Sequence, residues 1–284
     1  MARVAIVTDS TCDLGADKLR ELGVTMVPLK VMFGEHTYLD WLDLQPDEFY
    51  KKLAASPVLP TTSQPSPADF LSAYSRLAEE GHDAIVSIHL SAALSGTHHS
   101  AMMASDDSPI PVHVVDTKKV SQAVALVVKE ACTARDAGMS ADEVAKRAED
   151  VSASMRLFFV LDTLEYLVKG GRAGKAQGLA ASLLNIKPVL TMNAEGTIEP
   201  FKKVKGRRKA TAALAEHVAA ESKTHGTMRT AILHGCTADC GADMRTELEA
   251  AGAMIDLESV GLVGAVIGTY AGPDAVGCAY YPIG

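Results

Sequence analysis

The residues best suited to chemistry lie in Leu90-Ser91-Ala92-Ala93-Leu94-Ser95-Gly96-Thr97, between a run that reads as a strand (Ala84–His89) and one that reads as a helix (Ser95–Ala104). A helix start presents free backbone N–H groups and a partial positive charge, which together favour an anion. Ser95 and Thr97 add hydroxyl donors, and Gly96 would let an anion approach the backbone. In open α/β sheets the carboxyl ends of the strands are also where ligands bind. An ordinary helix cap is the alternative reading, and these residues alone leave both open. A second hydroxyl cluster, Thr61-Thr62-Ser63-Gln64, falls in a Pro/Ser/Thr stretch (Pro60 to Pro67) that reads as a loop and could supply the opposite wall of an anion pocket. Neither cluster contains Lys or Arg. An anion there would be held by neutral donors, which suits one carboxylate better than a polyphosphate and leaves its oxygen nucleophilic.

Other motifs carry less. Gly170-Gly171-Arg172-Ala173-Gly174-Lys175-Ala176 departs from a phosphate-binding loop, because Lys169 stands where the first glycine belongs and Ala176 where a magnesium-binding hydroxyl belongs. Nothing matches a dinucleotide fingerprint or a nucleophile elbow. The stretch His234-Gly235-Cys236-Thr237-Ala238-Asp239-Cys240 lacks the second pair of ligands a zinc site needs, so no metal is expected. Asp9, Asp13, Asp40, Asp43, Asp116 and Asp162 show no spacing that marks a catalytic pair. The basic run Lys202, Lys203, Lys205, Arg207, Arg208 and Lys209 enters a helix at its N-terminal end, where cations oppose the dipole. Helix stability does not explain it, which leaves a solvated face or a docking surface for an acidic or phosphorylated partner.

The elements that must position these residues change character along the chain. Up to about residue 152, strands alternate with helices: Val4–Thr8, Val24–Val31 (edge-like at Pro28), Ala84–His89 and Val112–Val115 are strands, with helices at Asp17–Leu22, Asp47–Leu53, after Ser66-Pro67, and at Ser121–Ala137 and Ser140–Val151. That pattern implies an α/β domain with a mostly parallel sheet flanked by helices. From residue 153 to 284 the pattern turns to hairpins, with Ile186–Met192 and Ile198–Val204 joined at Asn193-Ala194-Glu195-Gly196 and helices at Arg207–Ser222 and Asp239–Ala251. An α+β domain with a mixed or antiparallel sheet is expected there. The 284 residues, 48% hydrophobic and 22% charged, are ample for two cores. A net charge of -8 argues against binding nucleic acid through its phosphates. No run is apolar and long enough to span a membrane, and the odd, scattered cysteines do not suggest a disulfide framework, so a cytoplasmic protein is expected.

In chain order, the chain resembles the DegV family of fatty-acid-binding proteins in Thr8-Asp9-Ser10-Thr11-Cys12-Asp13-Leu14, Thr61-Thr62-Ser63-Gln64-Pro65-Ser66, Leu94-Ser95-Gly96-Thr97, Leu161-Asp162-Thr163-Leu164-Glu165-Tyr166-Leu167, Lys169-Gly170-Gly171-Arg172, Leu183-Leu184-Asn185-Ile186-Lys187-Pro188, Lys203-Val204-Lys205-Gly206-Arg207-Arg208-Lys209 and Ile267-Gly268-Thr269-Tyr270-Ala271-Gly272-Pro273. The resemblance implies a two-domain fold that buries a long-chain fatty acid between or along the domains, with no catalytic set or cofactor of its own. It implies that Ser95 and Thr62 hold the carboxylate, that Ser63, Gly96 and Thr97 complete the pocket, and that Arg172 and Tyr270 lie near the head group. It further implies that a separate kinase subunit, met through Lys205, Arg207, Arg208 and Lys209, converts the bound acid to an acyl phosphate. Tyr270 stands where family members often have His, and Ala92 where a second Ser is common. The competing reading is an enzyme, a small-molecule phosphotransferase or hydrolase that uses the same anion site.

Overall fold

The computed structural model describes residues 3–182, 186–235 and 238–283, so Leu183-Leu184-Asn185 and Cys236-Thr237 of the segments above lie outside the described residues. The chain divides into two compact units. One runs to Ala153 and takes in Gly264–Val266; the other comprises Ser154–Val263 and continues from Ile267.

In the first unit the elements are β1 (Val4–Asp9), α1 (Ala16–Glu21), β2 (Val24–Val27), β3 (Lys30–Phe33), β4 (His36–Leu39), α2 (Pro46–Ala55), β5 (Thr61–Ser63), α3 (Pro67–Glu79), β6 (Ala84–His89), α4 (Thr97–Asp106), β7 (Val112–Asp116), α5 (Gln122–Asp136) and α6 (Ala141–Ser154). Strands β2-β1-β6-β7 form a parallel sheet, with Ile6 opposite Val24 and Val4 opposite Ala84. Strands β1 and β6 are buried along their whole length, as expected for central strands covered on both faces. Phe70, Ala73, Tyr74 and Leu77 fall at helical spacing on α3 and pack against Val7, Val27 and Ile85 of the sheet. Ser66 starts that helix with a complete capping box: its hydroxyl accepts from Asp69 N, and the Asp69 carboxylate accepts from Ser66 N at 2.8 Å.

Two expectations fail here for a common reason. Val24–Val31 is not one strand, and Thr61–Ser63 is not loop. The chain breaks at Pro28-Leu29, and β3 leaves the parallel sheet to pair antiparallel with β4 and β5, placing Val31 opposite Thr62. Proline supplies no ladder donor at the break, and a strand as short as β5 gives no periodicity to read.

In the second unit the elements are β8 (Arg156–Val160), α7 (Glu165–Lys169), β9 (Ile186–Met192), β10 (Ile198–Lys205), α8 (Arg207–His225), β11 (Met228–His234), α9 (Ala238–Ala250), β12 (Ile255–Leu262), α10 (Ala265–Ala271) and β13 (Val276–Pro282), with a 3-10 turn over Gly174–Ser182. Helix α10 begins on Gly264–Val266, the segment that packs with the first unit. The sheet order is β10-β9-β8-β13-β11-β12, antiparallel except for the parallel β11/β12 pair, so the sheet is mixed. Its core joins Phe158, Val160, Ile232 and Cys278 of the sheet to Leu214, Val218, Met244 and Leu248 of α8 and α9. No helix among the described residues is long and apolar enough to cross a membrane.

Candidate functional site

The Ser95 loop rests on a buried polar chain. Asp9, at the end of β1, accepts from His89 Nδ1 at 2.9 Å and Leu90 N at 3.1 Å through one oxygen, and from Thr11 N at 3.0 Å and Thr11 Oγ1 at 2.5 Å through the other. His89 Nε2 lies 2.7 Å from Ser87 Oγ, which in turn accepts from the Tyr74 hydroxyl at 2.9 Å. Both ring nitrogens of His89 and the Ser87 hydroxyl thus have hydrogen-bond partners within the chain, and the buried network is closed on itself. Ser87, His89 and Asp9 have the spacing of a nucleophile, base and orienting acid. All three are fully buried, however, and Tyr74 occupies the hydroxyl. The set fixes the end of β6 and offers a substrate no approach, which removes the best hydrolase candidate.

From that anchored strand end the chain turns into α4. Ser91 carbonyl accepts from Leu94 N and Ser95 N, and Asp116 accepts from Ala92 N at 3.2 Å. Ser95 Oγ lies 2.9 Å from Thr97 Oγ1 and accepts from Thr97 N at 3.3 Å. Ser95 and Gly96 are half-buried and Thr97 is buried. Thr62 sits half-buried on β5, with Ser63 exposed beside it. The two hydroxyl clusters meet through Gln64, whose Nε2 donates to Ser100 Oγ at 3.1 Å. The space beside Gly96, read above as room for an anion, is filled by that same amide: a Cβ at Gly96 would lie 2.6 Å from Gln64 Nε2. The site's donors are thus neutral, and burial pushes the nearby His98 below its ordinary pKa, towards the uncharged form.

A second buried group in the same unit receives the backbone of Gly264 and Ala265. Asp13 accepts from Ser121 Oγ at 2.5 Å, Gly264 N at 2.9 Å and Trp41 Nε1 at 3.3 Å, while Asp40 accepts from Ala265 N at 3.0 Å. Burial pushes both carboxyls up, Asp40 to about 7. Asp13, Trp41 and Ser121 all carry positive φ (55°, 64° and 56°), a local concentration of strain around one carboxylate. Among the described residues no cluster of His, Cys, Asp and Glu is arranged to hold a metal ion.

The remaining predicted residues lie in the second unit. The Arg172 guanidinium stacks 4.9 Å from the centroid of the Tyr270 ring, and its Nη1 donates to Gly170 O at 2.7 Å. Of the basic run, Arg207 is committed inside the unit: Nη1 bonds Asp162 at 2.9 Å and Asp274 O, and Nη2 approaches Cys240 Sγ at 3.7 Å. Lys205, Arg208 and Lys209 are exposed. Sequence reasoning named Gln64 within its cluster but missed its bond to Ser100, and it missed the Asp9–His89–Ser87–Tyr74 chain and the Asp13/Asp40 pair; a polar Asp-Ser-Thr run closing a buried strand was the one signal for the first of these networks.

A parallel α/β unit with a hydroxyl-lined loop at a strand's carboxyl end, together with a mixed-sheet α+β unit, is an architecture shared with solved fatty-acid-binding proteins. The DegV family profile, described as that of an uncharacterised protein family, matches residues 3–283, and the chain belongs to the DegV family. A DegV domain-containing protein of Streptomyces coelicolor is 40% identical over 276 residues, covering 96% of each chain. The solved structure of a fatty-acid-binding DegV family protein from Thermus thermophilus superposes with a TM-score of 0.92 at 37% identity, covering 99% of this chain and 100% of that one. A stearic acid-binding protein from Eubacterium ventriosum gives 0.88 at 28% identity, covering 99% and 98%.

Proposed function

We propose that this protein binds a long-chain fatty acid, holds its carboxylate at Thr62, Ser63 and Ser95–Thr97, and presents it in the cytoplasm to a separate kinase for acyl phosphate formation. The observation that carries the reading is the pair of hydroxyl clusters, brought together by Gln64 at the start of α4 with neutral donors only. Relatives that share this fold are fatty-acid binders. Burying about 15 methylenes contributes at most roughly 12 kcal/mol. Each charge-assisted hydrogen bond adds about 1.5–3 kcal/mol, so the tail supplies affinity and the hydroxyls supply orientation. A carboxylate left without a paired cation keeps a nucleophilic oxygen for phosphoryl transfer. Arg172, held on Tyr270, is the anion-recognising residue proposed for the second unit. Exposed Lys205, Arg208 and Lys209 are the cations proposed to steer the kinase, while Arg207 braces the helix that carries two of them.

Native mass spectrometry of freshly purified protein tests the reading: a retained long-chain acid is expected, and ATP hydrolysis by the chain alone is not. Ser95→Ala should weaken stearic acid binding by about tenfold, the value of one charge-assisted bond, because the tail still binds. Unchanged affinity in that variant would remove Ser95 from the site.

A further inference from the structure

Within the carboxylate site proposed above, and resting on that reading, we infer that Gln64 is a positioning residue: its amide braces β5 to α4, and residue 96 is glycine in order to seat it. Strand β5 spans only Thr61–Ser63 and is the terminal strand of its sheet, paired on one side with β3. So short an edge strand needs a further anchor to hold Thr62 in register with a loop thirty or so residues away in the chain. The anchor is Gln64 Nε2 on Ser100 Oγ at 3.1 Å, and Ser100 is itself buried one turn into α4, with its N–H donating to Gly96 O at 2.9 Å.

The glycine follows from the brace. Gly96 has φ -74° and ψ 6°, a conformation open to any L residue, so backbone freedom does not require glycine here. What a side chain would meet is the Gln64 amide, with Nε2 at 2.6 Å and Cδ at 2.7 Å from a Cβ at that position. The obstacle is the far end of a flexible side chain. A methyl group at 96 would therefore swing the amide off Ser100 at little cost to the fold, and the loss would fall on the alignment of Thr62 with Ser95.

The test is a double-mutant cycle of Gln64→Ala and Gly96→Ala, read as stearic acid affinity alongside thermal midpoint. Each single change should weaken binding by roughly three- to tenfold, the value of one net hydrogen bond, with the midpoint nearly unmoved. The double variant should bind no worse than Gln64→Ala alone, since without the amide a methyl at 96 displaces nothing. Additive losses, or full affinity in Gln64→Ala, overturn the brace. Failure of the wild type to bind stearic acid would overturn the fatty-acid reading instead. The brace is then read from backbone amide shifts: both single variants should perturb residues 61–63 and 97–100 together, and an unperturbed 97–100 in Gln64→Ala refutes it.

Discussion

The first unit buries Asp9 and His89 at the base of the Ser95 loop and Asp13 and Asp40 around Gly264 and Ala265, whereas the second unit packs Phe158, Val160, Leu214, Val218, Ile232 and Met244 into an apolar core and places most of its charges outside. One region is held by directional bonds to a few atoms, the other by area. Directional bonds fix a loop to tenths of an ångström, but they make the region answer to pH. Asp40 shows this most clearly, because burial raises its pKa from 3.8 to about 7. The folded state then keeps a proton that the unfolded chain releases, so stability is greatest below 3.8, falls as pH rises from there to about 7, and is level above it. At about 1.4 kcal/mol per tenfold in proton affinity, that interval sets a ceiling of roughly 4 kcal/mol, and Asp13 acts in the same direction. Urea midpoints should accordingly fall between pH 5 and 7.5 in the wild type and fall less in Asp40→Asn, which keeps an oxygen for Ala265 N. Amide protection in β1 should follow the midpoint while β11 stays level. A wild-type midpoint that rises over this range would reverse the assigned sign.

The same contrast, a few flexible atoms against rigid area, recurs at the glycines. Gly96 makes room for a Gln amide, Gly170 for the Tyr270 ring (Cε1 2.6 Å from a Cβ there) and Gly272 for the Tyr166 ring (Cε2 2.7 Å). A long amide can swing aside, but an aromatic ring packed in a unit cannot. Gly272 also has φ +72°, where any side chain strains the backbone. Gly272→Ala should therefore destabilise by about 2–4 kcal/mol, Gly170→Ala by about 1–3, and Gly96→Ala by less than about 1. Equilibrium denaturation of the three variants checks the order. Equal losses at 96 and 272 would dissolve the distinction between the two kinds of seat.

The parallel sheet, the hairpin of β9 and β10 and the hydroxyl loop were legible because local pattern encodes them: buried β-branched runs, a turn, a helix start. Strand β13 was not, although it sits in the middle of its sheet. Val276-Gly277-Cys278-Ala279-Tyr280-Tyr281 is buried on both faces, so nothing alternates, and Gly277 breaks the run where a Cβ would press on Phe159. The polar networks were illegible for a different reason. Asp9 meets His89 across 80 positions and Asp13 meets Gly264 across 251, distances at which spacing carries no signal. Gln64 was quoted within a motif, but as one more polar side chain in a loop. Its job depends on Ser100, 36 positions on, and on the missing side chain at Gly96.

The smallest effect is expected at Tyr270, and it separates ring from hydroxyl. The ring face holds the Arg172 guanidinium at 4.9 Å while Gly170 O fixes one end of its fork, so the plane of the guanidinium is set by the aromatic surface. Tyr270→Phe keeps that surface, whereas Tyr270→Leu removes it along with about 0.5–1 kcal/mol of cation–π attraction. Imidazole keeps a flat ring, but below about pH 6.5 it gains a charge that repels the guanidinium, so Tyr270→His should match Phe at pH 8 and Leu at pH 5. The Arg172 Nε–H resonance reports stacking directly, through the ring-current shift that Phe retains and Leu loses. For the proposed ligand, preference for stearic acid over its methyl ester should stay near wild type in Phe and drop by roughly two- to fivefold in Leu. A Phe variant that behaves like Leu would move the working group from the ring to the hydroxyl, and Arg172 would then be held by directional bonds alone, as the polar chains of the first unit are.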